Sequence, residues 1–152
     1  MRKTLMVLGV VFLITSGSAV FAKTLPDGNA AKELSAKIMA KVAADDVNAA
    51  FEMIKPYTLI SLEEIDAIIV QAKGSREKLG PRNGKPIGYE LIDSKKVGDS
   101  LLRFRYIEKD ENHVLLWEFY FYRTKEGWIL DSFSWSDVYK PLFEGFAKSD
   151  AK

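Results

Sequence analysis

The residue best placed by type to do chemistry is a carboxylate standing in a row of apolar side chains. Asp131 falls in the alternating run Ile129, Asp131, Phe133, Trp135. If the alternation holds, loss of hydration raises its pKa and suits it to proton transfer. A tyrosine such as Tyr120 or Tyr57 then serves as hydrogen-bond donor. The ordinary alternative is a strand twist or bulge that turns Asp131 to solvent, or a structural ion pair with an arginine. A second constellation is Arg103 and Arg105, which alternate with Leu102, Phe104 and Tyr106 and so share one strand face. Two arginines there can clamp a carboxylate or phosphate. The blander reading is a cross-strand salt bridge, with Glu118 on the next strand as partner. A third is the aromatic run Trp117, Phe119, Tyr120, Phe121, Tyr122, which either lines an apolar pocket with tyrosine hydroxyls orienting a ligand, or forms core and dimer interface. Tyr57, after Pro56, is within reach of a cavity mouth.

Other chemistries are excluded by what the chain lacks. With no cysteine and a single histidine, disulfides, thiolate metal sites and multi-histidine metal sites fall away. His113 opens a strand beside Asn112 and is expected to be exposed. The stretch Gly80 to Gly88 has glycines and Lys85 but no Gly-Lys-Ser/Thr ending, so it is a loop and not a phosphate-binding one. No metal or cofactor is implied. A net charge of +1 gives no basic field for nucleic acid.

These residues must be positioned by a single domain, since 152 residues with 47% hydrophobic and 28% charged side chains describe one globular unit. Residues 1–22 read as a signal peptide: Met1-Arg2-Lys3 is basic, Leu5 to Ile14 is apolar, and Val20-Phe21-Ala22 offers small or modest residues before a cut at Lys23. The apolar stretch of about 10 residues is too short to span a bilayer, which takes about 20. The expectation is therefore an exported chain of the bacterial periplasm, with no stable membrane insertion after cleavage. Residues 23–29 read as a flexible leader around Pro26 and Gly28.

The domain is expected over residues 30–148. A helix from about Ala30 to Ala44 carries Leu34, Ile38 and Val42 on one stripe. Asp45 or Asp46 caps a second, and Pro56 ends it. Ser61-Leu62-Glu63-Glu64 is a capping box opening a third, which Gly80-Pro81 is expected to stop. From Ile87 the period falls to 2, predicting four strands: Ile87 to Val97, Leu101 to Lys109, His113 to Arg123 and Trp128 to Ser136. Short connections make them an antiparallel meander. A closing helix is expected from Asp137, with Val138, Leu142 and Phe146 on one side. The fold class is thus α+β, N-terminal helices on a curved four-stranded antiparallel sheet with a short C-terminal helix. The third strand is apolar on both faces, so its outer face is expected to meet the closing helix, a second subunit or a ligand.

The helical hairpin, the capped helix, the entry Gly84-Lys85-Pro86-Ile87-Gly88-Tyr89 and the strand start Gly127-Trp128-Ile129-Leu130 together resemble the nuclear transport factor 2-like superfamily. They are most similar to its small exported bacterial members of unknown function. The resemblance implies a cone-shaped domain with a cavity at its open end. It includes isomerase-like and dehydratase-like enzymes as well as members that only bind or dimerise, so fold alone does not choose. The histidine–aspartate pair of the dehydratase-like members has no clear place on a chain whose one histidine lies in a turn. The leading functional expectation is an exported non-catalytic binding or dimerisation module, holding a small apolar ligand in the cone or pairing as a homodimer through the sheet. The alternatives are a cofactor-free isomerase- or dehydratase-like enzyme using Asp131, and an envelope accessory whose aromatic face docks another protein.

Overall fold

The computed structural model describes residues 22–144. The signal-peptide reading of residues 1–22 and the Phe146 position of the closing helix therefore fall outside the described residues, apart from Ala22. Helix α1 spans Gly28–Ala43, α2 Val47–Ile54 and α3 Leu62–Asn83, followed by strands β1 Pro86–Val97, β2 Leu101–Asp110, β3 Val114–Arg123 and β4 Trp128–Ser136, and the short α4 Pro141–Glu144.

The helix starts follow from side-chain caps. Asp27, Asp46 and Ser61 accept hydrogen bonds from the N–H groups of Ala30, Ala49 and Glu64 at 2.8, 3.0 and 3.2 Å, meeting donors that have no partner within the helix. Two ends differ from expectation. Pro81 does not stop α3; it sits in the last turn, where it forfeits only one backbone bond, and the helix runs on to Asn83. The stop is Gly84, whose φ of +79° an L side chain rarely adopts and where a Cβ would lie 2.6 Å from Glu111 Oε2. The closing helix does not begin at Asp137 but at Pro141, which is suited to a helix's first turn and not its interior.

The strands form one antiparallel sheet in the order β1-β2-β3-β4. Leu34, Ile38 and Val42 of α1, Phe51 and Ile54 of α2 and Ile65 of α3 meet Phe104, Tyr106, Trp117, Phe119 and Phe121 on the inner face. The buried Ser35 hydroxyl is 3.1 Å from the Tyr106 hydroxyl, so both buried polar groups are satisfied. Register shifts interrupt β1 at two places and the β3–β4 pairing between Tyr120 and Phe121; such bulges bend and twist a sheet.

The leader is docked on the domain. Leu25 is buried and exchanges two 2.8 Å backbone bonds with Trp128, while Lys23 N–H reaches the Pro56 carbonyl at 2.7 Å. Gly127 permits this: with φ +141°, its missing Cβ is what lets the Leu25 carbonyl approach. On the outer face of the sheet Leu116 and Ile129 are buried, but Leu101 and Tyr122 are exposed among the described residues. Among the described residues no helix is long and apolar enough to cross a membrane.

Candidate functional site

Strand β2 sorts its polar residues onto two faces, and each face builds a charged cluster. On the outer face, Asp93 of β1 accepts from Arg105 Nε at 2.8 Å, from Arg105 Nη2 and from Arg103 Nη2 at 3.2 Å. The Arg105 hydrogen bond holds the Asp93 carboxyl below its ordinary range, in spite of partial burial. The partner the sequence suggested for these arginines, Glu118, is Arg105's neighbour across the β2–β3 register, but the ion pairs are made with Asp93. Both arginines are thereby engaged by one carboxylate.

On the inner face the row Phe104, Tyr106 continues into Glu108 and Asp110. Glu108 is fully buried, its Oε1 accepting from Arg76 Nη2 of α3 at 2.5 Å and its Oε2 from the Trp117 indole N–H at 2.7 Å. Arg76 Nη1 also reaches Asp45, 3.1 Å away in the α1–α2 turn, whose φ of +59° marks the tight reversal. Burial pushes the Glu108 carboxyl up, opposed by the Arg76 charge and the Trp117 bond. Asp110, 9% exposed, is also pushed up by burial, opposed by Arg76, by hydrogen bonding to Asn83 and by the neighbouring His113. Its Oδ1 is buried and meets no hydrogen-bond partner among the described residues, and the same is true of His113 Nε2.

Beside this cluster the molecule is not closed. The C-terminal half of α3 stands off the sheet, and the gap is a cleft of about 570 Å³. Trp135 and Trp117, stacked with centroids 5.4 Å apart, and Leu115 give it an apolar wall; Arg76, Asn83 and Asp110 supply its polar groups. Such a mixture of apolar surface and a few fixed polar groups, at this volume, is the usual make-up of a small-molecule site. The described residues gather no group of three or more side chains able to hold a metal.

The residues singled out in the sequence are dispersed. Trp117 lines the cleft. Tyr57 lines a separate recess of about 290 Å³ beside Met53 and Leu34. Arg103, Arg105, Tyr120 and Tyr122 belong to the outer face, where Tyr120 stands opposite Arg103 and Tyr122 opposite Leu101. Asp131 is not in an apolar pocket. Tyr120 pairs with Ser132 and Phe121 with Leu130, so Asp131 is the unpaired residue of a bulge and is exposed. The extra residue shifts the phase by one: Leu130, not Asp131, points into the core before Phe133 and Trp135 resume the inner row. His113 is half-buried, its ring edge-on to Tyr139 at 5.9 Å.

Arg76, Asn83, Asp110 and Trp135 were not among the expected site residues. A signal was present: Ile65, Ile69, Ala72 and Arg76 share helical spacing, and Glu108 and Asp110 extend the Phe104–Tyr106 alternation.

No family model matches the chain, and no curated protein does. Among solved structures, an NTF2-like protein of Campylobacter jejuni, one to which transpeptidase activity is ascribed, is similar at 11% identity and a TM-score of 0.46, over 67% of this chain and 97% of that one. The α+β class and the four-stranded antiparallel sheet expected from sequence are what the structure shows.

Proposed function

We propose that the chain is an exported, non-catalytic binding module that holds a small, largely apolar ligand in the cleft between α3 and the inner face of the sheet. The observation that carries this reading is the cleft itself: an opening of about 570 Å³, walled by two stacked tryptophans, beside a core in which Phe51 and Phe133, and Tyr106 and Phe119, pack edge to face. An apolar body displacing water from Trp135 and Leu115 gains about 25 cal/mol for each Å² it covers. Export rests on the basic, apolar and small-residue succession of residues 1–22. The enzyme reading built on Asp131 loses its support, because an exposed bulge residue has neither the dry surroundings nor the neighbours it required.

Isothermal titration calorimetry with 2-phenylethanol tests the reading. Binding is expected in the wild type and is expected to be lost in Ser75→Phe, which plugs the cleft from α3. Equal binding by the plugged variant contradicts it, and so does the failure of both this alcohol and 2-phenylethylamine to bind the wild type.

A second surface supports a homodimer. Leu101 and Tyr122 are 46% and 44% exposed and adjacent on the outer face, beside the buried Ile129, and a second copy of the sheet offers them cover. Light scattering on the eluting protein measures this; a monomer at all concentrations contradicts it.

A further inference from the structure

We infer that the ligand of the cleft is an organic amine, carrying its positive head to Asp110 and its apolar body to Trp135 and Leu115; this rests on the reading of the cleft as a binding site and adds the ligand's class.

Three observations converge. Asp110 lines the cleft at the end of β2, is nine-tenths buried, and presents an Oδ1 that accepts no hydrogen bond among the described residues. A buried acceptor without a donor costs free energy, and an incoming N–H removes that cost; an ammonium does so with a charge-assisted bond. The cleft's charge is also unbalanced. Asp45, Glu77, Asp110 and Glu111 line it against Arg76 and Lys85, and Glu108 lies directly behind. Arg76 is spoken for: its two terminal nitrogens reach Asp45 and Glu108, so it cannot also turn towards an anionic ligand without abandoning a buried carboxylate. Finally, the wall of Trp135 and Leu115 offers apolar surface to the body that carries the amine. An anionic head meets an excess of carboxylates and a guanidinium already paired, with the exposed Lys85 as the cation left to it among the described lining residues. A neutral hydroxyl can donate to Asp110 but gains nothing from the field.

The probes are three molecules with one phenyl body and different heads: 2-phenylethylamine (cationic), 2-phenylethanol (neutral) and 3-phenylpropionate (anionic). Calorimetry on the full chain at neutral pH is expected to show the amine binding at least about tenfold more tightly than the alcohol, with the propionate weakest. Asp110→Asn is expected to erase the amine's advantage while leaving the alcohol's affinity within about twofold. Glu77→Gln at the rim is expected to lower the advantage only slightly. Equal wild-type affinities for amine and alcohol overturn the amine assignment and leave the cleft standing. A preference for the propionate overturns it as well. Failure of all three to bind overturns the assignment together with the reading of the cleft. The wild-type ranking decides the matter even if Asp110→Asn does not fold.

Discussion

The two faces of β2 carry the same chemistry in opposite circumstances. Outside, Asp93 and two arginines form a cluster between a fifth and a third exposed, whose carboxyl is held towards its charged form. Inside, Glu108 is paired with Arg76 while Asp110 feels only that arginine's charge, and burial pushes both carboxyls towards the neutral form. The difference teaches that residue type and alternation do not assign function; the deciding quantity is how much water each face keeps. The outer cluster also leaves one buried atom, Arg103 Nε, without a partner among the described residues, but its carboxylate accepts from both arginines. The inner cluster differs in that its unpartnered atoms include a carboxylate oxygen, an acceptor that an incoming donor can meet.

The comparison is broken most sharply by removing the inner cation. Arg76→Met leaves Glu108 buried and unpaired and is expected to cost about 3–5 kcal/mol in urea unfolding. The double variant Arg76→Met/Glu108→Leu removes the charge along with its partner, and most of that loss is expected to return. A single-variant loss below about 1 kcal/mol would mean that the inner cluster is no more buried in effect than the outer one. On the outer face, Asp93→Asn is expected to cost about 1 kcal/mol, because pairs in contact with water gain little over hydration.

Acid titration sharpens the contrast through opposite signs. The Asp93 carboxyl is lowered from 3.8, so the stability it contributes is present above that value and is lost as the pH falls through its folded pKa. Asp110 is raised from 3.8, so its favourable contribution is full below that value and is lost as the pH rises through its folded pKa. The penalty of Asp93→Asn relative to wild type is therefore expected to shrink from pH 5 to pH 2. Asp110→Asn is expected to gain on wild type as the pH rises from 3 towards neutrality. Parallel trends in the two variants would abolish the distinction between the faces. The smallest effect is expected at the bulge: Asp131→Ala should change stability by no more than about 0.5 kcal/mol, as for an exposed residue. A large loss would return Asp131 to the interior.

Much of the architecture was legible because it is written in local periods. Ser61, Asp46 and the change from 3.6 to 2 near Ile87 mark elements whose signals lie within a few residues of their effects. Pro81 misled because a proline's damage depends on how many turns follow it, and here the helix was already ending. Asp131 misled because one unpaired residue inverts every inward and outward assignment around it, and a bulge leaves no composition of its own. The cleft was least legible. Glu108 and Asp110 lie at the end of β2, where charge reads as a turn, and only the approach of Arg76 from a helix 32 residues earlier makes them an interior cluster. Trp117 was identified for its aromatic face, but its indole N–H on Glu108 ties the apolar wall to the polar one.

The tryptophans give the most direct test that the inner-face cleft is the binding site. Trp117 and Trp135 line it, while Trp128 is buried at the far end of β4 against Leu25. In a nitrogen–proton correlation spectrum titrated with 2-phenylethylamine, the indole N–H signals of Trp135 and Trp117 are expected to move together, with those of Trp128 and the outer-face amides of Arg105 and Tyr122 unmoved. Shifts confined to the outer face, or none at saturating amine, would contradict the account.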